Sequence, residues 1–487
     1  MKISAATPPV VQATRASVTA ATTSAPAAPT AVAGSVKAAP PTYLHPDVAA
    51  ARLEQGRIAE YTEGTLDPKV VAAGAPAYFR TYEQITTALK DLQTKYPNLV
   101  EVIDIGDSSE KVAGKANRDV WAIRLTNKQA KPAAGEKPSV VYIAGEHARE
   151  IANPELMMKF IKQTLEGYGT DAEATALLDN RVLNIVPMMN PDGHAVVERG
   201  YSKLPDGKLM QRKNTSLPSG VDLNRNYDFR WGGPGASNLP ASDIYRGPSA
   251  ASEPEVQAVQ KFITATKPGV FMDWHSYSRL NLYPWGDTKD PTPDHAGLDA
   301  MARKFSTWNH YTPQQSIKLY PTSGTSKDWA YGTHKIPGFT IETGDSFHQT
   351  DVQFAGSWRE NSPIMGYVAK IADAPFQRVK GPDTLDVLLA AGAPGLKRGA
   401  LKLTAQVSDA NNGQDAVKGA EWVTDPSVPL GKGNALTPAD GAFDAASELV
   451  TGVISQAATG ALVYVRAQDA QGNWGPNTAQ WLKPANA

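Results

Sequence analysis

Residues 140–150 read VVYIAGEHARE, five apolar residues followed by a polar turn. A short apolar run that ends in a turn is typical of a strand buried inside an α/β sheet. The runs 182–186, 270–274 and 339–341 repeat this pattern, and helix-like stretches separate them. The sequence therefore predicts an α/β domain with a mixed, mostly buried sheet flanked by helices.

Two helices beside these strands are well marked. From Tyr82 an apolar face recurs at helical spacing until Pro97 ends the pattern. After the first strand, Asn153 is the expected N-cap and Pro154 the expected first helical residue. Helices of this amphipathic kind are expected to pack their apolar face on the sheet.

Composition excludes several classes of function. The 487 residues carry 48 Lys and Arg against 49 Asp and Glu, and a net charge of −1 provides no electrostatic footprint for nucleic acid or an anionic membrane. No apolar run approaches the roughly 18 residues of a membrane span. Because the chain has no cysteine, thiol catalysis and disulfides are excluded, and any metal must be held by His, Asp and Glu.

The texture of the sequence divides the chain into four parts. Residues 1–42 are rich in Ala, Pro and Thr and indicate a disordered tail, without the continuous apolar stretch of an intact signal peptide. Residues 43–78 form a short N-terminal segment, and residues 79–375 contain the predicted α/β domain. Residues 376–487 are a linker and a β module, in which runs such as 401–407 alternate apolar and polar side chains. We expect this module to be an immunoglobulin-like sandwich.

Residues with metal-binding chemistry follow two of the predicted strands. His147 and Glu150 come three apart after the first strand, which puts an imidazole and a carboxylate on one side of a turn. Taken alone, such a pair is better explained by a solvated helix. His275, however, follows the run 270–274, and ligands in open α/β sheets collect at the carboxyl ends of the strands. The three residues together predict a metal site.

An ordered set of motifs carries a family resemblance. In chain order they are His147-x-x-Glu150, NPDG at 190–193, DLNRN at 222–226, HSYS at 275–278, Tyr320 and Glu342. In this order they resemble the zinc metallocarboxypeptidases of the carboxypeptidase A and B type, from about Thr81 to Ala374. The resemblance implies a zinc-dependent exopeptidase that removes single amino acids from the C-termini of peptides or proteins.

The resemblance also implies the metal site. One Zn²⁺ is the expected cofactor, with His147, Glu150 and His275 as its ligands and a fourth position left for water. Asp222 corresponds to the residue that accepts a hydrogen bond from the ring N–H of His147.

Two residues correspond to the chemistry itself. Glu342 matches the general base that takes a proton from the zinc water, and a glutamate after an apolar strand would be costly to bury without a partner or a task. Arg212 matches the arginine that polarises the scissile carbonyl. On the sequence alone, its neighbours Lys208 and Lys213 favour a solvated basic loop instead.

The remaining matched residues concern the substrate. Asn224 and Arg225 correspond to the pair that grips the free α-carboxylate, for which the planar guanidinium fork is suited. Tyr320 corresponds to a tyrosine that closes over the bound terminus. Arg149 and Tyr277 correspond to residues that line the adjacent subsite.

Lys327 stands where the family has the base of the pocket for the terminal side chain. A lysine there predicts a preference for terminal Glu or Asp, because a partly desolvated ammonium pairs with a carboxylate and repels a cation. Two alternatives stay open: Lys327 could extend to solvent, or Asp287 could neutralise it.

Six histidines match none of the motifs, and we expect them to be surface or packing residues: His45, His194, His295, His310, His334 and His348. The segment 43–78 is too short to be the folded inhibitory pro-domain of the digestive relatives. The absence of cysteine and the appended β module resemble secreted bacterial members, which predicts an extracellular or periplasmic location.

The motifs are compatible with three classes of function. The leading one is a secreted carboxypeptidase. A peptidoglycan peptide hydrolase would use the same zinc and base on a substrate with D-centres or γ-linkages. An inactive binding or adhesion protein is disfavoured because it would have no reason to keep every residue of the site. The β module could bind carbohydrate or a cell surface, or could merely stabilise the enzyme.

Overall fold

The computed structural model describes residues 75–131, 135–391, 393, 395–455 and 460–482. The predicted tail and the N-terminal segment up to residue 74 lie outside the described residues. Within the described ranges, no helix combines the length and the hydropathy that crossing a membrane requires.

An eight-stranded mixed sheet forms the centre of the larger part of the molecule. Its strand order is β1-β2-β4-β3-β5-β8-β6-β7, and the neighbours β4, β3, β5 and β8 run parallel. The bounds are β1 Val100–Asp107, β2 Asp119–Leu125, β3 Ser139–Ala144, β4 Val182–Val186, β5 Val270–His275, β6 Leu280–Tyr283, β7 Thr312–Gln315 and β8 Gly338–Glu342. The predicted strand runs are confirmed, as is the mixed α/β fold class.

Alternation of side chains along the strands builds a core on each face of this sheet. Tyr142 points into the core on one face, where its hydroxyl donates to Met365 O at 2.7 Å, and its neighbours Val141 and Ile143 point into the other. The helices that cover the sheet are α1 Tyr82–Lys95, α2 Ser109–Val112, α3 Ala152–Gly167, α4 Ala172–Asn180, α5 Pro191–Tyr201, α6 Pro254–Thr266, α7 His295–Asn309, α8 Ser326–His334, α9 Asp351–Lys370 and α10 Pro375–Arg378.

One predicted helix boundary is wrong. Helix α3 begins at Ala152, so Asn153 lies inside its first turn and does not cap it. The side chain of Asn153 is fully buried and forms hydrogen bonds with residues outside the helix. It donates to Ser276 Oγ at 3.0 Å and accepts from Thr343 Oγ1 at 2.7 Å, which ties the helix to the ends of β5 and β8. Helix α1, by contrast, begins and ends as expected, with a capping box at Thr81.

The β module is an all-antiparallel sheet of seven strands within the described residues. Its order is β15-β14-β11-β12-β13-β10-β9. The two end strands approach each other, because Thr478 Oγ1 donates to Thr384 O at 2.9 Å and Gln480 Nε2 donates to Val387 O at 3.0 Å. The near closure of the sheet is compatible with the expected β sandwich. The bounds are β9 Asp383–Ala391, β10 Leu401–Ser408, β11 Val417–Val423, β12 Asn434–Pro438, β13 Ser447–Ile454, β14 Leu462–Asp469 and β15 Thr478–Trp481.

The module packs on the sheet domain through helix α4. Trp481 Nε1 donates to Thr170 O at 2.9 Å, Ala479 N donates to Glu173 Oε1 at 2.6 Å, and Asn180 Nδ2 donates to the Tyr464 hydroxyl at 3.2 Å. Helix α4 ends just before β4 begins, so this contact lies at the amino ends of the parallel strands. The carboxyl ends of those strands are at the opposite edge of the sheet.

Candidate active site

Three strand ends of the parallel part of the sheet deliver the central side chains. His147 follows β3 after a turn in which Gly145 has a φ of +67°, a conformation that favours glycine. His275 is the last residue of β5, Glu342 is the last residue of β8, and the two are register partners. The parallel pairing therefore brings residues that are distant in sequence to one edge, as expected for this class of sheet.

The donor atoms of His147, Glu150 and His275 converge. His147 Nδ1 lies 2.8 Å from Glu150 Oε1 and 3.0 Å from His275 Nδ1, and His275 Nδ1 lies 3.1 Å from Glu150 Oε2. Bonds of about 2.0–2.1 Å to a tetrahedral zinc ion would place the ligand atoms about 3.3 Å apart. Two imidazole nitrogens and one carboxylate oxygen are also a donor set of catalytic zinc sites. The residues present therefore fit a zinc ion.

The outer ring nitrogens of both histidines face carboxylates. His147 Nε2 lies 3.2 Å from Asp222 Oδ1. His275 Nε2 lies 2.9 Å from Asp273 Oδ2 and 3.2 Å from Glu146 Oε2. Such a partner orients the ring and makes the metal-facing nitrogen more basic. Asp273 and Glu146 are not among the site residues predicted from the sequence. For Asp273 a signal was present, because it is an acid inside the apolar strand FMDWH at 271–275.

Glu146 offers a second carboxylate to a metal. Ligand atoms of Glu146, His147 and His275 all lie within 4.8 Å of one another. Glu146 approaches His275 on Nε2, however, whereas Glu150 approaches both histidines on Nδ1. An ion held between the two Nδ1 atoms would therefore take Glu150.

The two neighbouring imidazoles keep the Glu150 carboxylate ionised. Burial by itself raises a carboxyl pKa, but the imidazoles of His147 and His275 hold the pKa of Glu150 well below its usual value. Burial lowers an imidazole pKa, but the charges of Asp273 and Glu150 raise the pKa of His275 well above 6.5. Burial, and next the charge of Asp273, raise the pKa of Glu146 well above its usual value.

Glu342 has the environment of a proton acceptor. Burial raises the pKa of its carboxyl to about 7, the charge of His275 opposes that rise, and the charge of Glu150 adds to it. A carboxyl whose pKa lies near neutrality takes up and releases a proton readily at physiological pH.

Arg212 is anchored by Asp222. Its Nε and Nη2 donate to Asp222 Oδ2 at 3.1 and 2.8 Å, and its Nη1 lies 3.4 Å from His147 Nδ1. Arg212 does lie in a loop, but its side chain is only 9% exposed and that of Asp222 is fully buried, so the solvated position that the neighbouring lysines favoured is wrong. Although burial opposes ionisation of each group, the pair raises the pKa of Arg212 and lowers that of Asp222.

Asn224 and Arg225 lie in a 3₁₀ turn that follows Asp222. Asn224 Nδ2 is 3.3 Å from His275 Nε2, and Arg225 donates to Asn224 O at 2.6 Å and to Gly235 O at 2.8 Å. Both side chains are buried at the sheet edge. The structure thus brings Asn224 beside His275 and Arg225 beside Asp222.

Aromatic residues line the open side of the site. Tyr277 and Tyr320 are about half exposed. The ring centroids of Tyr277 and Phe347 are 4.8 Å apart. The guanidinium carbon of Arg149 lies 4.1 Å from the centroid of the Phe347 ring. Phe347, which the sequence analysis missed, therefore joins the two residues expected to form a subsite.

Lys327 is buried at the start of helix α8, so the alternative in which it extends to solvent is wrong. Its Nζ donates to Thr325 Oγ1 at 3.4 Å and lies 3.7 Å from Asp328 Oδ1. Asp287 instead forms an ion pair with Arg230 at 2.8 Å. The acid close to Lys327 is therefore its chain neighbour Asp328.

His194 is a packing residue, as expected. Its ring is buried against Phe79, its Nε2 lies 3.0 Å from Arg80 O, and burial lowers its pKa to about 4. His45 lies outside the described residues.

Residues 85–363 match the Peptidase_M14 family, described as zinc carboxypeptidase. The chain belongs to this family. As a zinc metallocarboxypeptidase it is a metal-dependent hydrolase that acts on peptide C-termini. The family match ends before the β module begins.

Relatives and solved structures agree with this assignment. A zinc carboxypeptidase of Saccharothrix mutabilis subsp. capreolus is 32% identical over 333 residues, which span 63% of this chain and 73% of that protein. Carboxypeptidase A2 of Mus musculus is 32% identical over 276 residues, 55% of this chain and 63% of that protein. The crystal structure of thrombin activatable fibrinolysis inhibitor has a TM-score of 0.56 and 27% identity over 66% of this chain and 80% of its own.

Proposed function

We propose that this zinc carboxypeptidase hydrolyses the last peptide bond of its substrates with Glu342 as the general base and His147, Glu150 and His275 as the zinc ligands. The observation that carries the proposal is the convergence of these three residues, whose ring nitrogens and carboxylate oxygens approach one another to 2.8–3.1 Å at the sheet edge where β8 ends in Glu342. When bound, zinc supplies Lewis acidity to the attacking water and to the scissile carbonyl.

The side chains then have separate tasks in the hydrolysis. Glu342 takes a proton from water, whose oxygen bonds to the carbonyl carbon. The C–N bond breaks as Glu342 passes that proton to the leaving amine, so water is added across the bond and no other reactant is needed. Arg212, held by Asp222, stabilises the negative charge that develops on the carbonyl oxygen.

The clamp for the substrate terminus would explain exopeptidase action. Asn224 lies beside His275 and Arg225 lies beside Asp222, so the pair can bind the free α-carboxylate near the histidines, while Tyr320, half exposed, can close over it. Arg149, Tyr277 and Phe347 would contact the residue that precedes the scissile bond. Binding the terminus would thus align the last peptide bond with Glu342.

We infer further that acidic C-terminal residues are preferred. The Lys327 ammonium is buried, its one hydrogen bond to a described residue is a long one of 3.4 Å, and Asp328 Oδ1 lies 3.7 Å from its Nζ. In the same stretch, Thr322 Oγ1 and Ser323 Oγ are buried without a hydrogen-bond partner. A terminal carboxylate would supply the acceptors that these donors lack.

Mass spectrometry of a peptide library with and without a chelator tests the activity. Stepwise loss of single C-terminal residues that stops on chelation and returns with zinc supports the proposal. Cleavage confined to peptides with D-centres or γ-linkages would instead identify a peptidoglycan peptide hydrolase. A zinc-loaded protein that cleaves neither class would be an inactive binding protein.

Matched peptides ending in Glu, Phe, Leu and Arg test the pocket. We expect kcat/KM to be highest for Glu and lowest for Arg, and Lys327→Met to lower the Glu value at least tenfold relative to Phe. Lys318→Met, an exposed lysine of the preceding segment, is the control and should leave the ranking unchanged. A ranking that Lys327→Met does not alter, or best cleavage of Arg, would remove Lys327 from the pocket without affecting the assignment of the base.

We also propose that the enzyme acts outside the cytoplasm. The lack of cysteine and the appended β module support this location. Fractionation of the source cells should recover the chelator-sensitive activity in the medium or the periplasm. Recovery in the cytosol alone would contradict it.

A further inference from the structure

Three aspartates meet at one end of the β module. Asp409 directly follows β10, Asp415 lies in the loop before β11, and Asp469 ends β14. One carboxylate oxygen of each lies within 4.8 Å of one oxygen of the others. Asp409 and Asp469 are fully buried, and Asp415 is half-buried. Three carboxylates at this separation repel one another when ionised.

The described residues supply no cation to this cluster, since none of the three aspartates forms an ion pair with lysine, arginine or histidine. Elsewhere in the module the chain does compensate a buried acid, because Arg466 Nη2 lies 2.6 Å from Glu421 Oε1. A buried carboxylate without a counter-charge is costly. Burial raises the pKa of the Asp409 carboxyl to about 6. The charge of Asp469 adds to this rise, and the backbone hydrogen bonds that Asp409 accepts oppose it.

A buried oxygen of Asp409 has no hydrogen-bond partner in the part of the chain that the structure describes. Its Oδ2 accepts from Asp415 N at 2.8 Å and from Gly413 N at 3.1 Å, which explains why an aspartate shapes this turn. Its Oδ1 is buried and accepts no hydrogen bond, and the same holds for Oδ1 of Asn412 in the same loop. Turn formation therefore accounts for one oxygen of Asp409 and leaves the other unexplained.

Gly413 keeps the space between the carboxylates open. A Cβ at this position would lie 2.9 Å from Asp415 Oδ2 and 3.0 Å from Asp409 Oδ2. Any side chain at residue 413 would therefore intrude on two of the three carboxylates.

We propose that Asp409, Asp415 and Asp469 bind one divalent cation of the Ca²⁺ type, with Asn412 Oδ1 available as a neutral ligand. Carboxylate and amide oxygens from flexible loops are the ligands that Ca²⁺ takes, and an all-oxygen set without imidazole disfavours zinc. The ion would neutralise the cluster and supply the partner that Asp409 Oδ1 lacks.

The position of the site suggests what the ion would do. Asn412 Nδ2 donates to Gly381 O at 2.6 Å, so the loop of Asp409 and Asp415 touches the linker just before β9. The hairpin that starts at Asp469 packs against the same linker, where Pro382 O closely approaches Gly475. An ion that joins the loop to the hairpin would stiffen the junction of the module with the catalytic domain.

The test is calorimetric titration of Ca²⁺ into the full-length, zinc-loaded protein, with thermal unfolding in parallel. We expect one saturable site, of the order of 10⁻⁴–10⁻³ M as in extracellular modules, and a rise of several degrees in Tm. Asp415→Asn should weaken binding at least tenfold, because it removes a charge without removing an acceptor of backbone hydrogen bonds. Activity without Ca²⁺ should not change.

Asp425→Asn is the matched control. Asp425 is an exposed aspartate of the same module that accepts from Ser427 N at 2.9 Å in its own turn, so its variant should bind Ca²⁺ like the wild type. If Asp415→Asn does not fold, Asp409→Asn replaces it, since asparagine retains one acceptor oxygen. No saturable binding up to about 10 mM, or equal binding by wild type and cluster variant, would overturn the proposal.

Discussion

Asp222 in the candidate active site and the aspartate cluster of the β module, both largely buried, differ in how their charge is compensated. Asp222 is surrounded by groups of its own chain, with Arg212 at 2.8 Å, Arg225 at 3.9 Å and His147 at 3.2 Å. The aspartate cluster of the module has three carboxylates and no cation from the described residues. Accordingly, the neighbouring charges lower the pKa of Asp222 against the effect of burial, whereas burial raises the pKa of Asp409 to about 6.

The contrast separates two uses of a buried carboxylate. An acid whose counter-charges are built into the fold holds other side chains in place, as Asp222 holds Arg212 and faces His147. An acid without built-in counter-charge must have a chemical task, be protonated, or take a cation from solution. Variants that change one carboxylate, or remove the whole module, distinguish a structural acid from one that is catalytic, protonated or bound to a cation.

The largest effect is expected from the carboxylate with a chemical task. Glu342→Gln keeps the shape of the side chain and removes the proton acceptor, so kcat should fall by about 10²–10⁴-fold. Zinc content, measured by elemental analysis, should stay at one ion per chain because the ligands are unchanged. Activity within tenfold of the wild type would remove Glu342 from the role of base.

The next effect concerns an acid whose burial favours protonation. Glu255 is fully buried, accepts from Ser109 N at 2.8 Å, and has a pKa raised by burial to about 7. The folded protein therefore binds a proton that the unfolded chain releases between about pH 4.5 and 7, so stability falls as pH rises through this window. Ionisation of Glu255 should lower the free energy of unfolding by about 3 kcal/mol across this window.

Glu255→Gln should remove that dependence, because glutamine does not titrate. Unfolding of wild type and variant is compared at pH 5 and pH 7.5, where the variant should lose less stability than the wild type. Parallel pH profiles of the two proteins would contradict the raised pKa.

A smaller effect is expected where the built-in compensation is broken. Asp222→Asn removes the charge that anchors Arg212 and faces His147 Nε2, so zinc affinity should fall by about 10–100-fold. Competition with a chromophoric chelator measures this. Asp192→Asn is the control, since Asp192 is equally buried and pairs with Arg118 at 2.8 Å away from the zinc ligands. Equal losses of affinity in both variants would point to general destabilisation.

The smallest effect on chemistry is expected from removing the β module. A chain ending after Lys380 keeps Phe376 and Val379, which pack on the catalytic core. Because the module contacts the edge of the sheet opposite the site, kcat/KM should change by no more than about twofold. Tm should fall, since the apolar surface of helix α4 becomes exposed. A folded, zinc-containing truncation without activity would show that the module belongs to the site.

Much of the catalytic site could be predicted from the sequence because its signals are local. The His147-x-x-Glu150 spacing and the apolar strands before His147 and His275 lie within single elements, and the strands occur where the pattern placed them. Asn153 shows the limit of such reasoning. Its position before Pro154 is typical of an N-cap, yet its side chain finds partners on two other strand ends.

The partners of charged groups could not be predicted, because they come from distant parts of the chain. The sequence left open whether Lys327 extends to solvent or is neutralised by Asp287, but Lys327 is buried, Asp287 pairs with Arg230 and Asp328 lies closer to Lys327. Phe347 joins Arg149 and Tyr277 only because the loop after β8 folds across the strand end.

The sequence by itself determined the strands, the main helices and the separate β module, and it supplied the candidate ligands of a metal, because hydrophobic period and short spacings are properties of neighbouring residues. Only the tertiary structure decided which carboxylates are compensated. It placed Asp273 behind His275 and Arg212 on Asp222, and it gathered Asp409, Asp415 and Asp469 with no lysine, arginine or histidine of the described residues paired to them. Interactions between charges depend on distance and burial in space, and neither is encoded in the order of the residues.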